Sequence, residues 1–259
     1  MKGIRYDDNG VPILSREDIE GWSEKFISYF DKSCLEQPQP TPLGTICTCL
    51  RDKHKVNFIF GADLGASPEG YQYRGRFHIP STTIYIDRSL EYGDPRYNFT
   101  LAHEIAHFVM HRSICISSLK INDSEISDTN RNLVLDHVKT DNPREWLEWQ
   151  ANKFASSLLL PRQTIMTAVL DIQRKLGITR LGKIYLDRQP VNIKAYFTIA
   201  ESLVKLYETS KSSIKLRLKE LGMLVEADTG LNASSRPVVS INHAMMDTLQ
   251  QMKNQWADS

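Results

Sequence analysis

The chain has 259 residues, 41% of them hydrophobic and 24% charged, so it is long enough to bury one large core or two modest ones. Its 32 basic residues nearly balance its 31 acidic ones, which gives no global electrostatic attraction to nucleic acid or to an anionic membrane. The N-terminal residues lack the apolar segment of a secretory signal, and the densest apolar run ends at Pro161. We therefore expect a cytoplasmic protein without a membrane span.

The first half of the chain combines helical and strand-like patterns. Apolar periodicity predicts a helix over residues 15–33 with Ser15 as its N-cap, and three prolines then predict a turn within the domain. Short segments rich in β-branched and aromatic residues predict strands at 55–61, 76–80 and 82–87. The period becomes helical again between residues 97 and 111.

The second half is predicted to be mostly helical. Residues 117–143 are polar and mixed, which predicts a long connection containing one short helix at most. Residues 144–160 predict a helix that ends before a proline, and further helices continue to about residue 223. A polar tail follows, with a short helix predicted near 242–254.

The cysteines do not form a recognisable metal or redox motif. They stand at positions 34, 47, 49 and 115, and the one close pair is C-x-C rather than C-x-x-C. We expect reduced thiols that are mostly buried.

The most informative motif is His103-Glu104-Ile105-Ala106-His107. Residues four apart lie on one face of a helix, so both imidazoles can reach the same metal ion. Glu104 projects to the side, where a carboxylate can take a proton from an activated water during attack on a peptide carbonyl. The motif therefore predicts metal-assisted hydrolysis with Glu104 as the general base.

A third ligand must come from elsewhere in the chain. His111 follows His107 by four residues without a glycine to turn the chain back, so it is predicted to support the site, face the substrate or be exposed. Glu148 is the preferred third ligand and Glu145 the runner-up. Asn152 lies four residues after Glu148 on the same helical face, where its amide can orient a metal-binding histidine.

Two segments resemble the ImmA/IrrE family of zinc metallopeptidases. Residues 97–108, YNFTLAHEIAHF, resemble the family signature RFTLAHELGHF. The segment from Glu148 to Pro161 resembles the family pattern E-x-x-AN-x-FA-x-x-LLMP. Ala106 replaces the usual glycine and Leu160 the usual methionine, and neither change removes a ligand.

The resemblance covers about residues 15–165 and implies an α+β, zincin-like metallopeptidase domain with a small mixed sheet. It implies one zinc ion per chain on His103, His107 and Glu148, with Glu104 as general base. In zincins an edge strand beside the metal helix pairs with the substrate main chain, and residues 82–87 are the candidate here. Tyr85 and His111 are the candidates for contacts with the substrate.

A second module is predicted after the peptidase core. Residues 203–222 resemble the helix-turn-helix that often follows the peptidase in this family, with Val204 and Glu208 departing from its usual small residues. The second helix is basic, as a phosphate-contacting element would need. Its cations, which are candidates for contact with nucleic acid or a partner protein, are Lys211, Lys215, Arg217 and Lys219. DNA contact is less favoured than substrate docking or a structural role.

We therefore predict a zincin-like metallopeptidase domain at 1–165, a helical helix-turn-helix-like domain at 166–225 and a polar tail at 226–259. The expected function is a zinc endopeptidase that makes limited regulatory cuts in a protein, such as a transcriptional repressor or an antitoxin-like partner. Two histidines and a carboxylate also suit manganese. The alternative is a DNA- or protein-binding regulator with a non-catalytic metal site, and a toxin-like component of a paired system is a third interpretation.

Overall fold

The computed structural model describes residues 5–6, 11–68, 70–112, 125–129 and 143–227. The strands within these residues are β1 (Arg5–Tyr6), β2 (Pro12–Ile13), β3 (Asn57–Ala62), β4 (Tyr73–His78), β5 (Thr83–Asp87), β6 (Glu125–Thr129), β7 (Ile184–Leu186) and β8 (Leu224–Glu226). The helices are α1 (Arg16–Phe30), α2 (Ser33–Glu36), α3 (Leu43–His54), α4 (Pro95–His111), α5 (Pro143–Leu159), α6 (Arg162–Lys175), α7 (Pro190–Tyr207) and α8 (Lys211–Glu220). Among the described helices, none is both long and apolar enough to cross a bilayer.

The main sheet has four strands in the order β3-β5-β4-β6. Strands β3 and β5 are parallel, whereas β4 is antiparallel to both β5 and β6. A mixed sheet combined with helices confirms the predicted α+β class with a small mixed sheet. Phe77 of β4 contacts Phe108 of α4, with ring centroids 6.1 Å apart, so α4 packs on this face of the sheet.

Strand β5 lies inside the sheet, which contradicts the prediction that residues 82–87 form its edge. Thr83–Asp87 pairs with β3 on one side and with β4 on the other, so its backbone groups already have partners. Residues 125–129 form strand β6 at one end of the sheet, within the segment that was predicted to be a connection. Polar and apolar residues alternate too weakly in this segment to predict a strand. The strand forms through its pairing with β4, which is a tertiary contact.

Local capping signals explain where the helices of the site begin. Ser15 and Asp18 form the capping box of α1, which ends at Phe30, three residues before the predicted end. Asp94 caps α4 by accepting from the backbone N–H of Arg96, and Pro95 occupies the first turn. Helix α5 begins at Pro143 and ends at Leu159, as its flanking prolines predict.

Helices α4 and α5 pack closely against each other. The interface contains small side chains that are fully buried: Ala102 and Ala106 of α4, and Ala151 and Ala155 of α5. Helix α1 packs on α5 as well, so α5 is held from two sides. This arrangement brings the residues of α4 and α5 to one buried site.

Helices α6, α7 and α8 follow in the C-terminal part, with β7 paired to β8. A short turn joins α7 to α8, and Ser210 caps α8 by accepting from the N–H of Ser213. Contacts among the described residues place those up to Val225 in one compact unit, which ends before Glu226. The boundary at residue 165 stays a prediction, and the short helix near 242–254 falls outside the described residues.

Candidate metal centre

Two histidines of α4 point to the same buried position. His103 and His107 are one helical turn apart, and their Nε2 atoms are 3.0 Å from each other. Both side chains are completely buried. The spacing on the helix therefore brings the two nitrogens together, as the motif predicts.

Glu148 of α5 completes a cluster of three ligand atoms. Its Oε2 lies 3.2 Å from Nε2 of His103, and its Oε1 lies 3.7 Å from Nε2 of His107. All three residues are buried, and their ligand atoms lie within 4.8 Å of one another. The runner-up Glu145 is exposed and does not belong to this group.

The spacing and chemistry of the cluster fit a divalent metal ion. Tetrahedral zinc with bonds of about 2.0–2.1 Å to nitrogen or oxygen separates its ligand atoms by about 3.3 Å. The two Nε2 atoms are 3.0 Å apart, and the separations of 3.2 and 3.7 Å involve the two different oxygens of Glu148, so the three residues lie close enough together to bind one ion. Two imidazoles and one carboxylate suit zinc and also manganese.

Asn152 supports the first of the two histidines. Its Oδ1 lies 2.9 Å from Nδ1 of His103, so the amide oxygen accepts the proton of Nδ1 and leaves the lone pair on Nε2. The contact is the one that the helical face of Glu148 predicts for Asn152, and its role in orienting a metal ligand stays a prediction. The lone pair of His103 therefore faces the cluster.

The second histidine contacts a further imidazole. Nδ1 of His107 lies 2.9 Å from Nδ1 of His111, and Nε2 of His111 lies 3.0 Å from Oε1 of Gln150. Burial lowers the pKa of His111 to about 4, and burial with the neighbouring imidazoles lowers the pKa of His107 well below its usual range. Both rings are therefore neutral near pH 7.

The position of His111 narrows the alternatives left open by the sequence. Its side chain is completely buried and its Nδ1 contacts Nδ1 of His107, so it is not exposed and is placed to support the site, while its contact with a substrate stays a prediction. Gln150, its partner, was not recognised in the sequence. Its burial, which requires partners for the amide, comes from tertiary packing, so nothing local in the sequence marks this residue.

Glu104 is buried between α4 and strand β4. A Cβ atom on Gly75 of β4 would lie 2.9 Å from Cγ of Glu104, and closer still to its Oε1. The missing side chain of Gly75 therefore makes room for the carboxylate of Glu104. A glycine inside a strand often marks the close approach of another group, and Gly75 stands inside β4.

Tyr85 lies away from the cluster, which corrects the prediction that it contacts a substrate there. In the antiparallel ladder, Phe77 is paired with Ile84 and Gly75 with Ile86, and these residues share the face that α4 covers. Side chains alternate between the two faces along a strand, so Tyr85 points to the opposite face.

The basic residues of α8 do not form one exposed set. Arg217 is 2% exposed, donates to the carbonyl of Leu160 at 2.9 Å, and forms an ion pair with Glu20. Its guanidinium is used inside the chain, which corrects its prediction as a contact with nucleic acid or a partner. Lys211 and Lys219 are exposed and Lys215 is half-buried, and the ammonium of Lys211 lies 3.1 Å from Glu201.

Comparisons with known proteins place these residues in a family context. Residues 60–219 match the family model described as the IrrE N-terminal-like domain, which is a peptidase family. A solved structure described as a Mycobacterium tuberculosis transcriptional regulator is similar, with 15% identity and a TM-score of 0.47 over 83% of this chain and 48% of that chain. This chain thus spans about half the length of that regulator. A search of curated proteins found no match.

The family match extends over more than half of the chain and includes both metal-site helices, α4 and α5. It agrees with the family predicted from the two sequence motifs. The chain therefore belongs to the IrrE N-terminal-like family of metallopeptidases.

Proposed function

We propose that this chain is a zinc-dependent endopeptidase that makes limited regulatory cuts in a protein, and that this protein is a transcriptional repressor or an antitoxin-like partner. The observation that carries the proposal is the convergence of His103, His107 and Glu148, with Glu104 on the same turn of α4. The resemblance to ImmA/IrrE peptidases supports the class of substrate.

His103, His107 and Glu148 would hold the ion through two nitrogens and one carboxylate oxygen. When bound, a divalent ion acts as a Lewis acid that lowers the pKa of a water molecule and polarises a peptide carbonyl. The carboxylate of Glu104 takes the proton of the attacking water and then delivers it to the nitrogen of the leaving amine. The close packing of Gly75 against Glu104 holds this carboxylate in one position.

Strand β6 replaces residues 82–87 as the candidate for pairing with substrate main chain. Within the described residues, β6 is the last strand of the sheet on the side of β4, the strand that packs against Glu104. An extended peptide added to such an edge gains affinity from backbone hydrogen bonds. We place the activity in the cytoplasm, where the free thiols of Cys34, Cys47 and Cys49 stay reduced.

The test compares wild-type protein with Glu104→Gln, both loaded with zinc, in a native lysate of the source cell. N-terminal labelling and mass spectrometry then identify newly formed protein N-termini. We expect a few new termini with the wild type and none with Glu104→Gln, because the variant keeps the ligands and loses the base. If zinc-loaded wild type produces no more new termini than the variant does, the peptidase proposal is wrong.

The alternative is a regulator in which the metal site is not catalytic. The α7–turn–α8 arrangement with exposed Lys211 and Lys219 favours it, whereas the buried ion pair of Arg217 with Glu20 favours a structural role for α8. The DNA-binding form of this alternative requires duplex DNA binding that weakens with salt, whereas its protein-binding form does not. Wild-type protein that shows no salt-dependent binding would exclude DNA recognition by α8.

A further inference from the structure

Buried polar groups connect His107 to the N-terminal strand β2. His107 contacts His111 through their Nδ1 atoms, and His111 contacts Gln150 through Nε2. The Nε2 of Gln150 then donates to the carbonyl oxygen of Pro12 at 2.6 Å. His107, His111 and Gln150 are completely buried, so solvent does not compete for these hydrogen bonds.

The carbonyl of Pro12 determines the direction of every bond in this chain of contacts. A carbonyl oxygen only accepts, so the amide nitrogen of Gln150 faces Pro12 and its Oε1 faces His111. That Oε1 also only accepts, so Nε2 of His111 carries a hydrogen. A neutral imidazole that donates at Nε2 accepts at Nδ1, so Nδ1 of His107 is the donor between the two rings.

We propose that His111, Gln150 and the Pro12 carbonyl form a positioning relay that holds His107 as its Nδ1–H tautomer and directs the Nε2 lone pair into the metal cluster. Without such a partner, a neutral histidine distributes its proton between both nitrogens, and the Nε2–H form cannot bind a metal through Nε2. The assignment of His107 as a ligand rests on the proposed function, whereas its tautomer does not.

With the relay, each of the two candidate metal-binding histidines has its own support. Asn152 accepts from Nδ1 of His103, and the relay accepts from Nδ1 of His107. Both Nε2 lone pairs then face each other at 3.0 Å, a separation that a cation between them would stabilise. The relay ends at Pro12, outside residues 60–219, so the N-terminal segment belongs to the support of the site.

The experiment uses His111→Leu and Gln150→Leu in the full chain, with Gln173→Leu as a matched control. Gln173 is also a buried glutamine, but both of its partners are backbone groups. It accepts from the N–H of Gly182 at 2.8 Å and donates to the carbonyl of Lys183 at 2.7 Å. Nitrogen-15 NMR of the metal-free proteins reports the His107 tautomer, and competition with a chelator reports zinc affinity. Gln150→Met replaces Gln150→Leu if the latter does not fold.

We expect the Nδ1–H form of His107 in the wild type and in Gln173→Leu, and a mixture of tautomers in the two relay variants. Zinc affinity should fall about 10- to 100-fold in the relay variants and stay unchanged in the control. The proposal is overturned if His107 keeps the Nδ1–H form in both relay variants, or if Gln150→Leu binds zinc as tightly as Gln173→Leu. If the wild type takes up no zinc, the proposed function fails, while the NMR result still decides the relay.

Discussion

Replacing Gly75 with alanine tests whether the carboxylate of Glu104 occupies the position next to strand β4. The added Cβ would lie 2.6 Å from Cγ2 of Thr100 and 2.9 Å from Cγ of Glu104, whereas ordinary van der Waals contact begins at 3.4 Å. The distance to Thr100 is therefore about 0.8 Å shorter than an ordinary contact, and the carboxylate oxygen of Glu104 is closer still to the added Cβ. The side chains of Thr100 and Glu104 must therefore move.

The change should affect stability, cleavage rate and zinc affinity to different extents. Overpacking a buried site costs about 1–3 kcal/mol of unfolding free energy. A displacement of about 1 Å of a catalytic group lowers the rate on the order of 100-fold, which corresponds to about 2.7 kcal/mol of activation free energy. Zinc affinity should change little, because the added methyl group meets Glu104 and Thr100 rather than His103, His107 or Glu148.

Urea unfolding measures the stability of the variant, and competition with a chelator measures its zinc affinity. The cleavage rate is measured on a peptide that contains a cut site identified by N-terminal labelling. Gly21→Ala is the matched control, because nothing lies within 4 Å of its added Cβ. Because Gly21 lies inside α1, the Gly21→Ala protein should be slightly more stable than the wild type and keep its full activity. If Gly75→Ala cleaves the peptide at the wild-type rate with unchanged stability, Glu104 does not pack against β4 as described.

The remaining predictions concern the third ligand and helix α8. Glu148→Gln should lower zinc stoichiometry and affinity in elemental analysis, whereas the exposed Glu145→Gln should not, and the reverse result would reassign the ligand. Arg217→Met should cost about 3–5 kcal/mol in urea unfolding because it leaves Glu20 without its ion pair; a loss below about 1 kcal/mol would contradict this. Ser210→Ala should cost about 1 kcal/mol by removing the N-cap of α8, and an unchanged unfolding midpoint would show that the cap contributes nothing.

The clustering of the candidate ligands could be predicted where their geometry is local. The four-residue spacing of His103 and His107 determines their common helical face before any tertiary contact forms. Glu148 and Asn152 follow the same rule on α5, and the resemblance to a known family identified that helix. The capping signals that define where these helices begin are equally local.

The groups around the ligands could not be predicted because they depend on tertiary packing. Gly75 contributes space to Glu104 only through the pairing of β4 with β5 and the position of α4 on that sheet. Strand order has the same origin, so an apolar strand such as β5 gives no local sign of lying at the edge or in the middle. The burial of Arg217 likewise depends on Glu20, a partner 197 residues earlier.

That separation has a consequence for synthesis of the chain on the ribosome. At about 5–20 residues per second, Glu20 is made on the order of 10–40 s before Arg217. Helix α1 therefore lacks this buried partner while most of the chain emerges, and α5, on which α1 packs, carries Glu148 of the candidate metal cluster. A nascent or truncated chain without α8 should hold an incompletely packed metal centre, which would confine proteolysis to finished molecules.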